Sequence, residues 1–165
     1  QAISTGHGGA TTFHAYDSRS AIQRLLNEPL NIPRGWIPAM NLIIDVRRLP
    51  LPSKDKVTLR RRIFAIDEVV SADELKRTVS WDPKEDKHNI DYNSMITLKR
   101  ITGDIGIDFD QVKEELERRA EFLRLLASSK KLTSTKESYK LLKKYIIMYG
   151  RDPVTALEEA KKIAK

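Results

Sequence analysis

The run Leu42-Ile43-Ile44-Asp45-Val46, closed by Arg47-Arg48, constrains this chain more than any other stretch. Leu42, Ile43, Ile44 and Val46 leave almost no alternation between a wet and a dry face. The pattern therefore predicts a strand over Asn41 to Leu49, buried on both faces as a central strand of an α/β sheet. The polar residues Ser53 to Lys56 follow as a hairpin turn. Thr58 to Val70, with Arg60-Arg61-Arg62 and then Ile63-Phe64-Ala65-Ile66, reads as an antiparallel partner. Arg47 and Arg48 sit at the end of the apolar strand, and ligands of open α/β sheets lie outside the carboxyl ends of strands. Both are thus candidate phosphate-binding or subunit-interface arginines, against the plainer alternative of an ion-paired strand end. Arg61 should point away from Arg60 and Arg62, because side chains alternate faces along a strand; solvent or pairing with Asp67 or Glu68 accounts for at least one side.

The first 15 residues have a different character. They hold two of the three histidines and three of the seven glycines, with Ser4, Thr5, Thr11 and Thr12 among them. Gly6, Gly8 and Gly9 free the backbone and expose N–H groups, and the hydroxyls suit an oxyanion, so the segment reads as a turn and strand that bring His7 and His14 to a phosphate. Thr11 to Ala15 is the expected strand. Asp17 or Ser18 caps a helix through about Asn27 with Ala21, Ile22, Leu25 and Leu26 on one face, and Pro29 and Pro33 end it. Zinc is a poor alternative to the phosphate, since His88 is far away in sequence and no cysteine or spaced carboxylate completes a four-ligand set.

Beyond Ser71, Lys76 to Trp81 and Lys87 to Tyr92 read as a small surface hairpin around Asp82-Pro83-Lys84-Glu85-Asp86. From Ser94 the chain reads as helical, broken at Gly103 to Gly106, with a stripe of Val112, Leu116, Ala120, Leu123 and Ala127. Ser134 and Glu137 form a capping box for a further helix, and Asp152-Pro153 opens a last one. The expected domains are 1–92, α/β with the hairpin, and 93–165, all helical.

Ser4-Thr5-Gly6-His7 and Thr12-Phe13-His14-Ala15 together resemble the histidine box of the secretion ATPases, the hexameric motors of type II and type IV secretion, type IV pili and the archaeal flagellum. Pro33-Arg34-Gly35-Trp36-Ile37-Pro38, the 41–49 strand ending in Arg47-Arg48, and Trp81-Asp82-Pro83-Lys84 are similar to the archaeal branch. The resemblance implies the C-terminal half of a RecA-like P-loop ATPase core with a mixed β-sheet, followed by an all-helical C-terminal subdomain. It assigns His7 and His14 to the catalytic site, close to the γ-phosphate and the neighbouring subunit, as nucleotide sensors rather than proton carriers, with Thr5, Gly6 and Thr12 beside them. It also implies ATP and Mg in the intact protein, a homohexamer, and a membrane platform protein as partner. The place of action is then cytoplasmic, at the inner face of the cell membrane and held there through partners.

A phosphate-cradling loop needs Gly-x-x-x-x-Gly-Lys-Ser/Thr, and no Gly-Lys pair occurs in the sequence. With Gln1 falling inside the motif, the chain is expected to be a fragment that neither binds nucleotide tightly nor hydrolyses it alone. With 40% hydrophobic and 32% charged residues the composition is that of an ordinary globular protein, and no apolar run approaches a membrane span. Absent cysteines exclude disulfides and thiolate metal sites. The net charge is +7, divided as +2 over 1–50, +1 over 51–107 and +4 over 108–165, which places most of the excess in the helical tail. Lysines there mix with glutamates and aromatic residues are sparse, so a solvated helical surface is expected rather than a nucleic-acid site. The alternatives are a nucleic-acid-handling hexameric ATPase and a non-catalytic interaction module.

Overall fold

The computed structural model describes residues 6–53, 56–128 and 135–149, together with Thr155 and Glu158. Two compact units divide the chain, Gln1–Ile101 and Thr102–Lys165. The first contains helix α1 (Ser18–Leu26), a 3-10 segment (Arg34–Met40) and strands β1 (Leu42–Ser53), β2 (Lys56–Val69), β3 (Leu75–Asp82) and β4 (Lys87–Ile90).

These strands form one sheet in the order β1-β2-β3-β4, and every neighbouring pair is antiparallel. The expected mixed sheet of a RecA-like core is therefore wrong. The physical reason lies in the connections: each strand follows its predecessor after a few residues, whereas a parallel pair needs a crossover of a dozen or more. The expected small surface hairpin is present as β3 and β4, but it continues the same sheet.

The central-strand expectation for 41–49 also fails. β1 is an edge strand, and Leu42, Ile44 and Val46 are exposed at 42%, 52% and 56% while the residues between them are half-buried. An unbroken apolar run says that both faces are apolar, not that both are covered. Only one face is. There Ile43 and Leu75 pack with Ile22, Leu25 and Leu26 of α1, Ile37 and Met40 of the 3-10 segment, and Val69 and Ala72. Asp17 caps α1 by accepting from Ser20 N at 2.7 Å, which sets the helix start as expected. Thr11 to Ala15, the expected strand, joins no sheet among the described residues.

Buried polar groups at the sheet have partners. Asp67 accepts from Arg77 Nε and Nη2 at 2.9 and 3.1 Å. Glu68 reaches across to the start of α2 (Ile96–Ile105), accepting from Ile96 N at 2.6 Å and Thr97 N at 3.1 Å. A carboxylate from a strand thus serves as the N-cap of a helix that follows it by many residues. Of the two surroundings expected for Arg60 to Arg62, solvent or pairing with Asp67 or Glu68, the second is not what Arg62 meets. At the other end of the sheet, Asp86 in a left-handed conformation accepts from Trp81 Nε1 at 2.9 Å and from both Arg62 Nε and Nη2 at 2.6 Å. These donors hold the Asp86 carboxyl well below the usual carboxylate range, the arginine bonds first.

The second unit contains the end of α2, α3 (Phe109–Ser128) and α4 (Thr135–Tyr149). Gly106, at φ +65, breaks the chain after α2. A reciprocal cap starts α3: Asp108 Oδ1 accepts from Asp110 N at 2.8 Å, while Gln111 Oε1 accepts from Asp108 N at 3.2 Å. The core is a Phe122–Tyr145 stack, centroids 4.4 Å apart, surrounded by Leu125, Leu126, Leu141 and Leu142. The expected stripe through Leu123 and Ala127 is displaced, since both are exposed and Phe122 faces inward. Glu115 shifts the buried side, its carboxylate held by Arg119 Nε at 2.6 Å. Ser134 of the expected capping box and Asp152-Pro153 lie outside the described residues. Among the described residues no helix is long and apolar enough to cross a membrane.

Phe122→Ala should cost about 3–5 kcal/mol of stability in urea unfolding, and Leu123→Ala well under about 1 kcal/mol. A carboxyl depressed by its native partners adds stability that is complete above its unfolded pKa, near 4, and is lost as pH falls toward the folded value. Thermal unfolding below about pH 4 should therefore depend less on pH in Asp86→Asn than in the parent protein.

Candidate functional site

The segment from Gly6 to Asp17 runs in the open. Gly6 has φ +86, a left-handed turn that favours glycine, and every residue from Gly6 to Tyr16 is exposed. His7, Thr12 and His14 are all on this segment; Thr5 lies outside the described residues. The strand expected over Thr11 to Ala15 is absent, yet the far end of the segment is fastened at three points. The His14 carbonyl accepts from Arg24 Nη1, which leaves the imidazole outward. The same guanidinium lies 5.1 Å above the Phe13 ring. Asp17 then closes onto α1 as its cap, where the hydrogen bonds from Ser20 lower its pKa.

The next residue, Tyr16, leads to Arg47. The Arg47 guanidinium lies 3.7 Å from the Phe64 ring centroid and 5.7 Å from that of Tyr16, and it is chelated by Asp45 through Nε at 3.1 Å and Nη2 at 2.7 Å. Asp45 raises the Arg47 pKa further and fixes its fork. This arginine is committed to structure: its donors are directed at a carboxylate whose side chain is only 10% exposed.

Arg48 faces the other way. Neighbouring residues of a strand point to opposite faces, and in the β1–β2 register Arg47 stands opposite Arg62 whereas Arg48 stands opposite Arg61. Arg47 and Arg48 therefore do not grip one phosphate together. Arg62 is taken by Asp86, and among the described residues neither the Arg48 nor the Arg61 guanidinium has a hydrogen-bond or acidic partner. The alternation expected for Arg60 to Arg62 holds, but the Arg48–Arg61 rung escaped the sequence reading. Its signal was available: a turn centred on 54 and 55 places 48 opposite 61.

His88, the third histidine, lies in β4, where Nε2 donates to the Ile63 carbonyl at 2.9 Å. It is a strand contact. Among the described residues no group of three or more His, Cys, Asp or Glu is placed to hold a metal ion. A cavity of about 220 Å³ is lined by Pro38, Asn41, Glu68, Ile96, Thr97 and Arg100. Its polar groups are spent on one another: Glu68 caps α2, and Asn41 Oδ1 accepts from Arg100 Nη2 at 2.9 Å.

The chain is similar to two archaeal proteins. Uncharacterized protein MJ1287 of Methanocaldococcus jannaschii is 35% identical over 136 residues, which are 79% of this chain and 48% of that protein. Uncharacterized protein MJ0900 of the same organism is 32% identical over 132 residues, 74% of this chain and 23% of that protein. The chain thus spans about half the length of the first relative and about a quarter of the second. No protein-family model matches the chain.

The two arginines should separate in stability. Arg47→Ala leaves Asp45 without its partner and strips the Phe64 ring, so unfolding free energy should fall by about 2 kcal/mol or more in urea. Arg48→Ala should stay within about 0.5 kcal/mol of the parent protein.

Proposed function

We propose that this chain is a C-terminal part of a hexameric motor ATPase of the secretion type, one that powers protein secretion or assembly of a pilus-like or archaeal flagellar filament at the inner face of the membrane. The observation that carries the reading is the opening segment: His7, Thr12 and His14 of a histidine box stand on an exposed stretch whose backbone is fastened to α1 at the His14 carbonyl while the imidazole remains outward. A neutral imidazole in that position can donate one hydrogen bond to a γ-phosphate oxygen. Thr5, Gly6 and Thr12 would stand beside His7 and His14 as further phosphate contacts.

No RecA-like sheet is involved, since the sheet is antiparallel throughout. The antiparallel sheet acts here as a platform that holds the segment through α1 and Arg47, and the phosphate-binding loop that the sequence lacks would come from elsewhere in a longer protein. ATP and Mg would bind between that loop and the segment. Hydrolysis would then alter how the segment meets its nucleotide and the next subunit of the ring, with force delivered to a membrane platform protein. Arg47 is not part of the sensing set in this reading, because Asp45 and Phe64 already occupy it.

In the intact protein, His14→Ala should lower ATP turnover by about a hundredfold, in the range for loss of one preorganised donor to a transition-state charge, with the unfolding transition unchanged. Undiminished turnover in a folded His14→Ala protein, or an encoded sequence with no Gly-Lys-Ser/Thr loop upstream, would overturn the motor reading.

A further inference from the structure

The β1–β2 hairpin outgrows its sheet. β3 pairs with β2 only over Ala65 to Val69, so among the described residues 46–53 and 56–63 have only each other as ladder partners. Eight residues per strand make an arm about 25 Å long. A two-stranded ribbon is marginally stable by itself in water.

One face of this arm is built from four rungs: Val46 opposite Ile63, Arg48 opposite Arg61, Pro50 opposite Leu59 and Pro52 opposite Val57. All eight residues are exposed, Val57 at 69%, Leu59 and Val46 at 56%. The other face is the half-buried one, with Arg47, Arg62, Leu49 and Leu51. Like charges directly across a rung are destabilising, and no described acid neutralises Arg48 and Arg61. The face thus exposes both aliphatic groups and two side-by-side cations.

Charge is concentrated here as well. Between Arg47 and Arg62 the sequence holds seven basic residues and one acidic residue, a net +6 of the chain's +7, while residues 63–107 carry −3. The cluster straddles residue 50, which is why neither 1–50 at +2 nor 51–107 at +1 shows it.

We propose that the outer face of the arm lies on an anionic lipid surface, its aliphatic side chains in the headgroup–acyl boundary and Arg48 and Arg61 on lipid phosphates. A nucleic acid would satisfy the arginines but leave the aliphatic rungs in water. A protein groove edged with carboxylates would satisfy both, yet the face has no Trp or Tyr of the kind that anchors such contacts. The boundary of an anionic bilayer meets both needs at once, and flat aliphatic rungs with arginines between them match its layering. The β1 edge can remain hydrated in that position, since the ribbon lies in the interface and does not span it. This inference is independent of the motor reading, in which the membrane is reached through a partner protein.

The test is sedimentation of the protein with vesicles of mixed phosphatidylglycerol and phosphatidylcholine, against vesicles of phosphatidylcholine alone. Binding to the mixed vesicles should be at least about tenfold tighter and should fade as salt approaches about 0.5 M. Arg48→Glu with Arg61→Glu should weaken it by about tenfold or more, and Val57→Asp with Leu59→Asp should weaken it at unchanged salt. Circular dichroism and the melting midpoint should match the parent protein in both variants, because every altered residue is exposed. His14→Ala should bind vesicles like the parent whatever its ATP turnover, which keeps the two readings apart. Absence of pelleting by the parent protein, equal binding by the Arg48/Arg61 variant, or binding to a duplex DNA oligonucleotide without binding to vesicles would each overturn the proposal.

Discussion

One extra residue in β2 organises the first unit. Asp45 pairs with Ala65 and the next residue, Val46, with Ile63, so Phe64 is a bulge with no partner in β1. A bulge turns a strand and increases its twist. Here it delivers an aromatic ring under the Arg47 guanidinium, which in turn holds Asp45 and meets Tyr16 at the end of the opening segment. On one side of the bulge lies a sheet packed under α1 and the 3-10 segment. On the other lies the two-stranded arm. The position of Phe64 thus divides a single long hairpin into a half that makes a core and a half that faces outward.

Much of the local structure was legible in the sequence. The α1 cap at Asp17, the turn between β1 and β2, and the pairing of β3 with β4 follow from short-range chemistry of capping and turn residues, which the neighbouring chain does not override. Tertiary arrangement was less legible. Leu42, Ile43, Ile44 and Val46 are as apolar as a central strand requires, but how many layers cover a strand depends on residues elsewhere, and here only the Ile43 side is covered. The antiparallel order could have been anticipated from the short connections alone, had the resemblance to a RecA-like core not implied a mixed sheet. In α3, a buried Glu115 held by Arg119 looks like surface on any hydrophobicity count, so the apolar stripe was phased toward Leu123.

The candidate site was legible in part. Composition of the opening segment pointed to His7, Thr12 and His14, and these do stand together on one exposed stretch. The role of the arginines depended on register and on a bulge that composition does not reveal. Arg47 became a structural cation because Asp45 and Phe64 meet it, and Arg48 found its counterpart in Arg61 across the ladder.

Pro50 and Pro52 have a consequence for the protein at high concentration. β1 is the outer strand of the sheet, and its free edge would ordinarily offer a foreign strand alternating donors and acceptors. Prolines within a paired strand are tolerated where the missing N–H would have faced outward, so along the arm that edge presents carbonyls with gaps where donors should be. An incoming strand would find no donor at Pro50 or Pro52, just where the aliphatic side chains would otherwise draw it in. The β1 edge of the arm is thereby blunted against strand-upon-strand growth, whereas the β2 edge over 56–63 carries no proline.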